Sequence, residues 1–468
     1  MRIPTLSAIL TAIGLILSAT PTFALEVYQA PSGDAVVVFQ EQGHWVLDTY
    51  TTAADGWPEH ATHEEFPNRT DFANRIADLP GYPSEVEVAG TFTRFPTNRL
   101  PVTKKELKGT SDLWTVTNTW NQDWEKRYGE WIQKEFDIDF FVRAKFPTAC
   151  SDVAYALRWI FARDNGLPVA NRLTTGEWFT NHSLRDAWRG LPTAKIWYQD
   201  KRFVAALTYL THNTFTHTLW RDAYPIAINL TSLTPGAFHL NIDPTSGHTM
   251  IITQVSSNPD DIPVVTLSST TPRDIRKLNE FMYTEAKADP KHLAILRFRW
   301  PKQDKVDLVP AEAMPNYSTE QFAPDFVKAP HQWFWEEIAY RINPNLDYGK
   351  VAIEMLHQLT NSFALRESLV LDGYAKCSTG HCREGTSGWE DWSTVSRDQR
   401  IASAINIYDL FNGRVKDRQV LDTLLKAEIV HVDNKAYTLE ALMALWRTFK
   451  FSSDPAASIR QRWALPPK

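Results

Sequence analysis

The chain has 468 residues, of which 43% are hydrophobic and 22% charged, and a formal net charge of −6. That composition is ordinary for a globular protein, and the length suffices for about two or three domains. The acidic balance and the lack of any basic run exclude an electrostatic nucleic-acid binder.

Residues 1–24 read as a secretory signal peptide. Arg2 supplies a positive start, Leu6 to Leu17 an apolar core, and Thr22 and Ala24 small residues at the cleavage-determining positions. No later segment approaches about 18 consecutive apolar residues. The mature chain is therefore expected in the periplasm or outside the cell, with no stable membrane insertion after signal cleavage.

From Leu25 to about Leu100 the text reads as strands, at Asp34–Phe39, Trp45–Tyr50 and Val86–Phe95, with Gly, Pro and Asn between them. Residues 25–112 are thus expected to form a β-rich module. Trp120, Trp124, Tyr128 and Trp131 then recur at helical intervals. A second helix follows Phe146-Pro147-Thr148-Ala149-Cys150, because Val153, Ala154, Leu157, Ile160 and Phe161 make an apolar stripe. Thr148 is the expected N-cap, Asn165-Gly166 and Pro168 end the helix, and Cys150 falls in its first turn. Residues from about 170 to 222 look helical and irregular. Thr249–Val255 and Pro263–Leu267 form a hairpin joined by Asn258-Pro259-Asp260-Asp261, and Leu293–Phe298 is a further strand. Beyond about 330 the pattern is mainly helical. The expected fold class is α+β, with a core over 113–305, a helical insertion around 170–222, and a mainly helical region over 306–468.

The three cysteines carry the chemistry. Cys377 and Cys382 bracket a Gly-containing turn and, in an oxidising compartment, are expected to close a small disulfide loop. That leaves Cys150 as the odd thiol. A helix start offers N–H groups and a partial positive charge, which favour a thiolate and an oxyanion alike. The candidate base is His248, in Ser246-Gly247-His248-Thr249, where a strand opens after a turn. A third group should orient its ring. Ser268, Ser269 and Thr270 lie just past the hairpin, and Gln254 is another choice; Ser268 is carried forward as the candidate.

Other constellations are weaker. Gly380-His381-Cys382 has its histidine and glycine in the wrong order for an L,D-transpeptidase. Cys377, His381 and Cys382 have no evident fourth ligand for zinc. His212 and His217 have neither helix-face spacing nor the glutamate of a metalloprotease. No metal or cofactor site is therefore expected. Glu336-Glu337 and Glu390-Asp391 read as solvated charges. The 18 tryptophans are expected mainly in cores, though exposed ones could stack on sugars.

Ala149-Cys150-Ser151 at a helix start, Pro235-Gly236-Ala237 before a strand, and Gly247-His248 opening another together resemble the NlpC-type branch of the papain-like cysteine peptidases. The resemblance covers about residues 145–300. It implies a cysteine helix packed on an antiparallel sheet, amide hydrolysis, and a peptidoglycan or peptide substrate. The alternative expectation is a non-catalytic envelope protein that binds glycan or peptide on a papain-like scaffold.

Overall fold

The computed structural model describes residues 26–77 and 112–466, apart from 30–33, 42, 43, 67, 244, 245, 260, 272, 282–292, 304, 305, 332, 381 and 383–386. The expected signal peptide and the expected strand at Val86–Phe95 lie outside the described residues. Helix and sheet are mixed, as an α+β chain requires.

Strands β1 (Glu26–Gln29), β2 (Ala35–Glu41), β3 (His44–Thr52) and β4 (Pro58–Phe66) form an antiparallel meander in chain order. Helix α1 (Arg69–Ala77) covers one end, where Phe72 stacks on Trp45 at 4.9 Å. One apolar face of this module is small, with Ala35, Val37, Val46 and Tyr50 clustered and Phe215 from the next region packed against them, while Val36, Val38 and Leu47 are buried on the other face. The module is tied to that region. Trp57 packs edge-on against Phe179 and Tyr209. Arg185 donates to both carboxylate oxygens of Asp55 at 2.8 and 3.2 Å, and the Tyr50 and Thr174 hydroxyls meet at 2.9 Å.

The central region opens with α2 (Gln122–Glu135), α3 (Phe140–Ala144) and α4 (Cys150–Asp164), the helix that begins at the odd thiol. Between them and the main sheet lie the short hairpin β5 (Ala170–Arg172) and β6 (Trp178–Thr180), then α5 (Lys201–His212) and α6 (Thr216–Arg221). The sheet comprises β7 (Ala223–Pro225), β8 (Phe238–Asp243), β9 (Ser246–Val255), β10 (Val264–Ser268), β11 (Asn279–Phe281) and β12 (Leu293–Phe298). Its order is β11-β10-β9-β8-β12-β7 and every pair is antiparallel. The expected hairpin is β9–β10. At Gly236, φ of +86 and the Tyr128 ring pressed against the backbone both require glycine.

Both faces of this sheet are covered. Phe238, Leu240, Ile251, Leu267, Ala294 and Leu296 belong to one core, with α2 and α4; Met250, Ile252, Val264, Leu293 and Ile295 belong to the other, with the C-terminal helices. Helix α4 is buried on nearly every side rather than along a single stripe, from Ser151 to Ala162. Its one buried cation is neutralised within the core. Arg158 donates to Glu125 at 2.5 Å and lies over the Trp120 ring, while Arg297 and the Trp300 N–H also reach Glu125. Burying such a charge without partners would cost several kcal/mol.

The C-terminal layer contains α7 (Phe334–Ile342), the 30-residue α8 (Tyr348–Cys377), α9 (Ser387–Trp392), α10 (Val395–Phe411), α11 (Arg418–Lys426), α12 (Leu439–Trp446) and α13 (Ile459–Arg462). A hairpin of β13 (Glu428–Val432) and β14 (Lys435–Thr438) interrupts it, turning through Asp433 and Asn434 at φ 53 and 63. Cys377 and Cys382 form the expected disulfide. Glu336 and Glu337 are not solvated: they are 5% and 3% exposed, and Glu337 accepts from Arg341 at 2.8 Å and lies 2.8 Å from His331 Nδ1. None of the 18 tryptophans is exposed.

Candidate functional site

Cys150 is the first residue of α4 and half-buried. The N-cap is Ala149, not Thr148. The Asp152 carboxylate accepts from the Ala149 N–H at 2.6 Å, while Thr148 is buried and bridges to Asp274 through its backbone. Asp152 is itself only 1% exposed and is clamped by Arg273, which donates to it at 2.7 and 3.0 Å. The start of α4 is thus pinned by a bidentate ion pair. The Cys150 thiol lies 3.7 Å from the carbonyl oxygen of Gly247.

That contact brings the sulfur to the backbone beside His248 but not to its ring. Side chains alternate across a strand, and directly paired residues in an antiparallel ladder share a face. Leu240 pairs with Thr249 and Phe238 with Ile251; Phe238, Leu240 and Ile251 pack with α4. His248 pairs with Asn241, on the other face, with Met250 and Ile252. Gly247 confirms the assignment, since a side chain there would strike Thr216 of α6, on the α4 side. His248 therefore faces the C-terminal layer. Burial holds its pKa well below the usual value, aided by Arg400 and Arg397 of α10 and by His239 of β8. The expected pairing of Cys150 with His248 is corrected on this ground.

Ser268 is displaced in the same way. Thr266 on β10 donates to the Met250 sulfur at 3.7 Å, so Thr266 and Ser268 look toward the C-terminal layer. Ser268 is 1% exposed, and its hydroxyl has no hydrogen-bond partner among the described residues. Its neighbour Ser269 faces α4 and donates to the Thr148 carbonyl at 2.9 Å. Thr270 accepts from Arg397 at 2.9 Å. Gln254 lines a polar cleft with Asp261, Glu280, Glu354 and Gln358, again on the face away from Cys150. His239, His248, Ser268, Thr270 and Arg397 thus make a polar seam between the sheet and α10 rather than a site around the sulfur.

On the sulfur's side of the sheet, the α5–α6 turn brings two histidines. His217 follows Thr216, the residue against Gly247, and its ring packs 5.3 Å from Phe215. His212 is lowered in pKa by burial and then by Arg273, the cation that clamps Asp152.

A third polar group was not visible in the sequence. Asp48, His60 and His63 converge on the β module, with each donor atom within 4.8 Å of the others. The spacing His-x-x-His on a strand places its members on opposite faces unless a residue is inserted, and nothing in the local composition announces that insertion. Comparison with protein-family models, curated proteins and solved structures finds no match for this chain.

Proposed function

We propose that this protein is an exported cysteine hydrolase that cleaves an amide bond, with Cys150 as nucleophile. The observation that carries the reading is the place of the thiol: half-buried, outside any disulfide, at the first residue of a pinned helix laid on an antiparallel sheet. The partial resemblance to NlpC-type peptidases points to a peptide of the cell wall as substrate. In this reading the sulfur attacks the amide carbonyl and N–H groups at the start of α4 receive the oxyanion. The amine leaves with a proton, and water then hydrolyses the thioester. The candidate base in place of His248 is His217, because it follows Thr216, the α6 residue that lies against Gly247 on the sulfur's side of the sheet. The eighteen tryptophans, none of them exposed, give no support to a sugar-stacking surface.

Iodoacetamide labelling of the folded protein near neutral pH tests the reading. Cys150 is expected to react quickly, and His217→Ala to slow the reaction by about a hundredfold or more, the usual worth of a general base. His248→Ala should leave the rate unchanged; slowing there but not at His217 would move the base back to the other face. Cys150→Ala should abolish turnover of wall peptides. If Cys150 is labelled only after unfolding, the hydrolase reading fails and a binding role takes its place.

A further inference from the structure

We propose that Asp48, His60 and His63 form a zinc site on the β module, independent of the cysteine reading. His60 and His63 both lie on β4, three residues apart. Regular alternation would send them to opposite faces. The ladder with β3 prevents this: Asp48 pairs with His63, Thr49 with Thr62 and Tyr50 with His60, so Ala61 is an extra residue without a partner. The bulge reverses the alternation, and both imidazoles stand across from Asp48 and Tyr50 on one face. Bulges of this kind re-aim side chains and are common beside functional sites.

The donor geometry suits a small divalent cation. Asp48 Oδ1 lies 2.6 Å from His63 Nδ1 and 3.3 Å from His60 Nε2. Ligands around a tetrahedral zinc, each about 2 Å from it, stand about 3.3 Å apart, so the His60–Asp48 separation already fits and the His63–Asp48 contact would open by less than about 1 Å. Asp48 Oδ1 accepts a separate hydrogen bond from each imidazole, and zinc would displace both protons. Two imidazoles and one carboxylate favour zinc over calcium or magnesium, which take oxygen ligands. The other nitrogen of His63, Nε2, lies 2.9 Å from Glu65 Oε1. That is the arrangement by which an outer carboxylate orients a metal-ligating histidine. The second oxygen of Glu65 is buried with no hydrogen-bond partner among the described residues. Tyr50 packs edge-on against the His60 ring at 5.3 Å and is anchored through its hydroxyl to Thr174.

One side of the cluster is open. The His60 and His63 side chains are 42% and 38% exposed, whereas Asp48 is 12% exposed. Three protein ligands and an open fourth position are the pattern of zinc sites that keep a water or bind a substrate group.

Calorimetric titration of the chelator-treated protein with Zn2+ tests the proposal. One equivalent is expected to bind at the cluster, and Cys150→Ser should leave that binding unchanged. His60→Ala and His63→Ala should each weaken it by more than tenfold, and Glu65→Gln by about ten- to a hundredfold. Both histidines are exposed, so the fold should survive these changes, and circular dichroism checks that it does. Co2+ offers a second readout, as the strong visible absorption of a four-coordinate ion that is lost in the double variant H60A/H63A. No binding by the unsubstituted protein, or binding that the double variant retains, overturns the proposal and leaves an ordinary ion-paired cluster.

Discussion

Glu354 shows what one misplaced charge does in this molecule. It sits on α8 in the cleft beside Glu280, and burial together with the Glu280 charge raises its pKa from 4.5 to about 7. Between those values the folded protein keeps a proton that the unfolded chain has released. Stability must therefore fall as pH rises through that window. The full effect is at most about 3 kcal/mol, and less because the side chain is only half-buried. Glu354→Gln should raise the melting temperature clearly at about pH 8 and much less at about pH 5; equal shifts at both would refute this account. The residue scale also divides what could be read in advance from what could not. Cys150 at a helix start was legible from the apolar run Val153–Phe161 and the Asn165-Gly166 stop, which are local signals, although the expected N-cap Thr148 fell one residue early. The direction of His248 was not. TMIITQV is apolar on both faces because both faces of the sheet are covered, and such strands lose the alternation that tells inside from outside.

At the scale of elements, α8 and α10 are joined by a buried ion pair. Arg366, 0% exposed, donates to both oxygens of Asp398 at 2.7 and 3.2 Å and lies over the rings of Trp446 and Trp463. Thr394 and Ser453 also donate to Asp398, at 2.8 and 2.6 Å. Asp398→Ala should cost about 3–5 kcal/mol, because it strands a buried guanidinium rather than merely deleting a contact. Urea unfolding measures it, and a loss under about 1 kcal/mol would show that water reaches Arg366. Elements with strong periodicity were legible here, among them α2, α4 and the β9–β10 hairpin. The bulge in β4 was hidden, since it depends on how β3 pairs with its neighbour. So was the β13–β14 hairpin, whose Asp433-Asn434 turn lies within a stretch otherwise rich in helix.

At the scale of the whole molecule, residues 306–468 form the second layer of the central sheet. Phe334, Trp335, Met355 and Ile405 share a core with Met250, Ile252 and Ile295. A chain cut after residue 305 would leave that face bare. It should be recovered insoluble, or should bind a hydrophobic dye strongly, whereas a soluble, cooperatively melting fragment would show that the central region folds alone. The sequence separated these layers by composition, but composition says nothing of which surfaces meet.

Trp463 packs against Phe363 and Trp446 within the second layer. A chain emerging from its N-terminus therefore meets a long interval in which β8, β9, β10 and β12 exist with one apolar side uncovered. Closure waits for a residue close to position 463. That order makes the last-arriving turns the ones on which escape from aggregation depends.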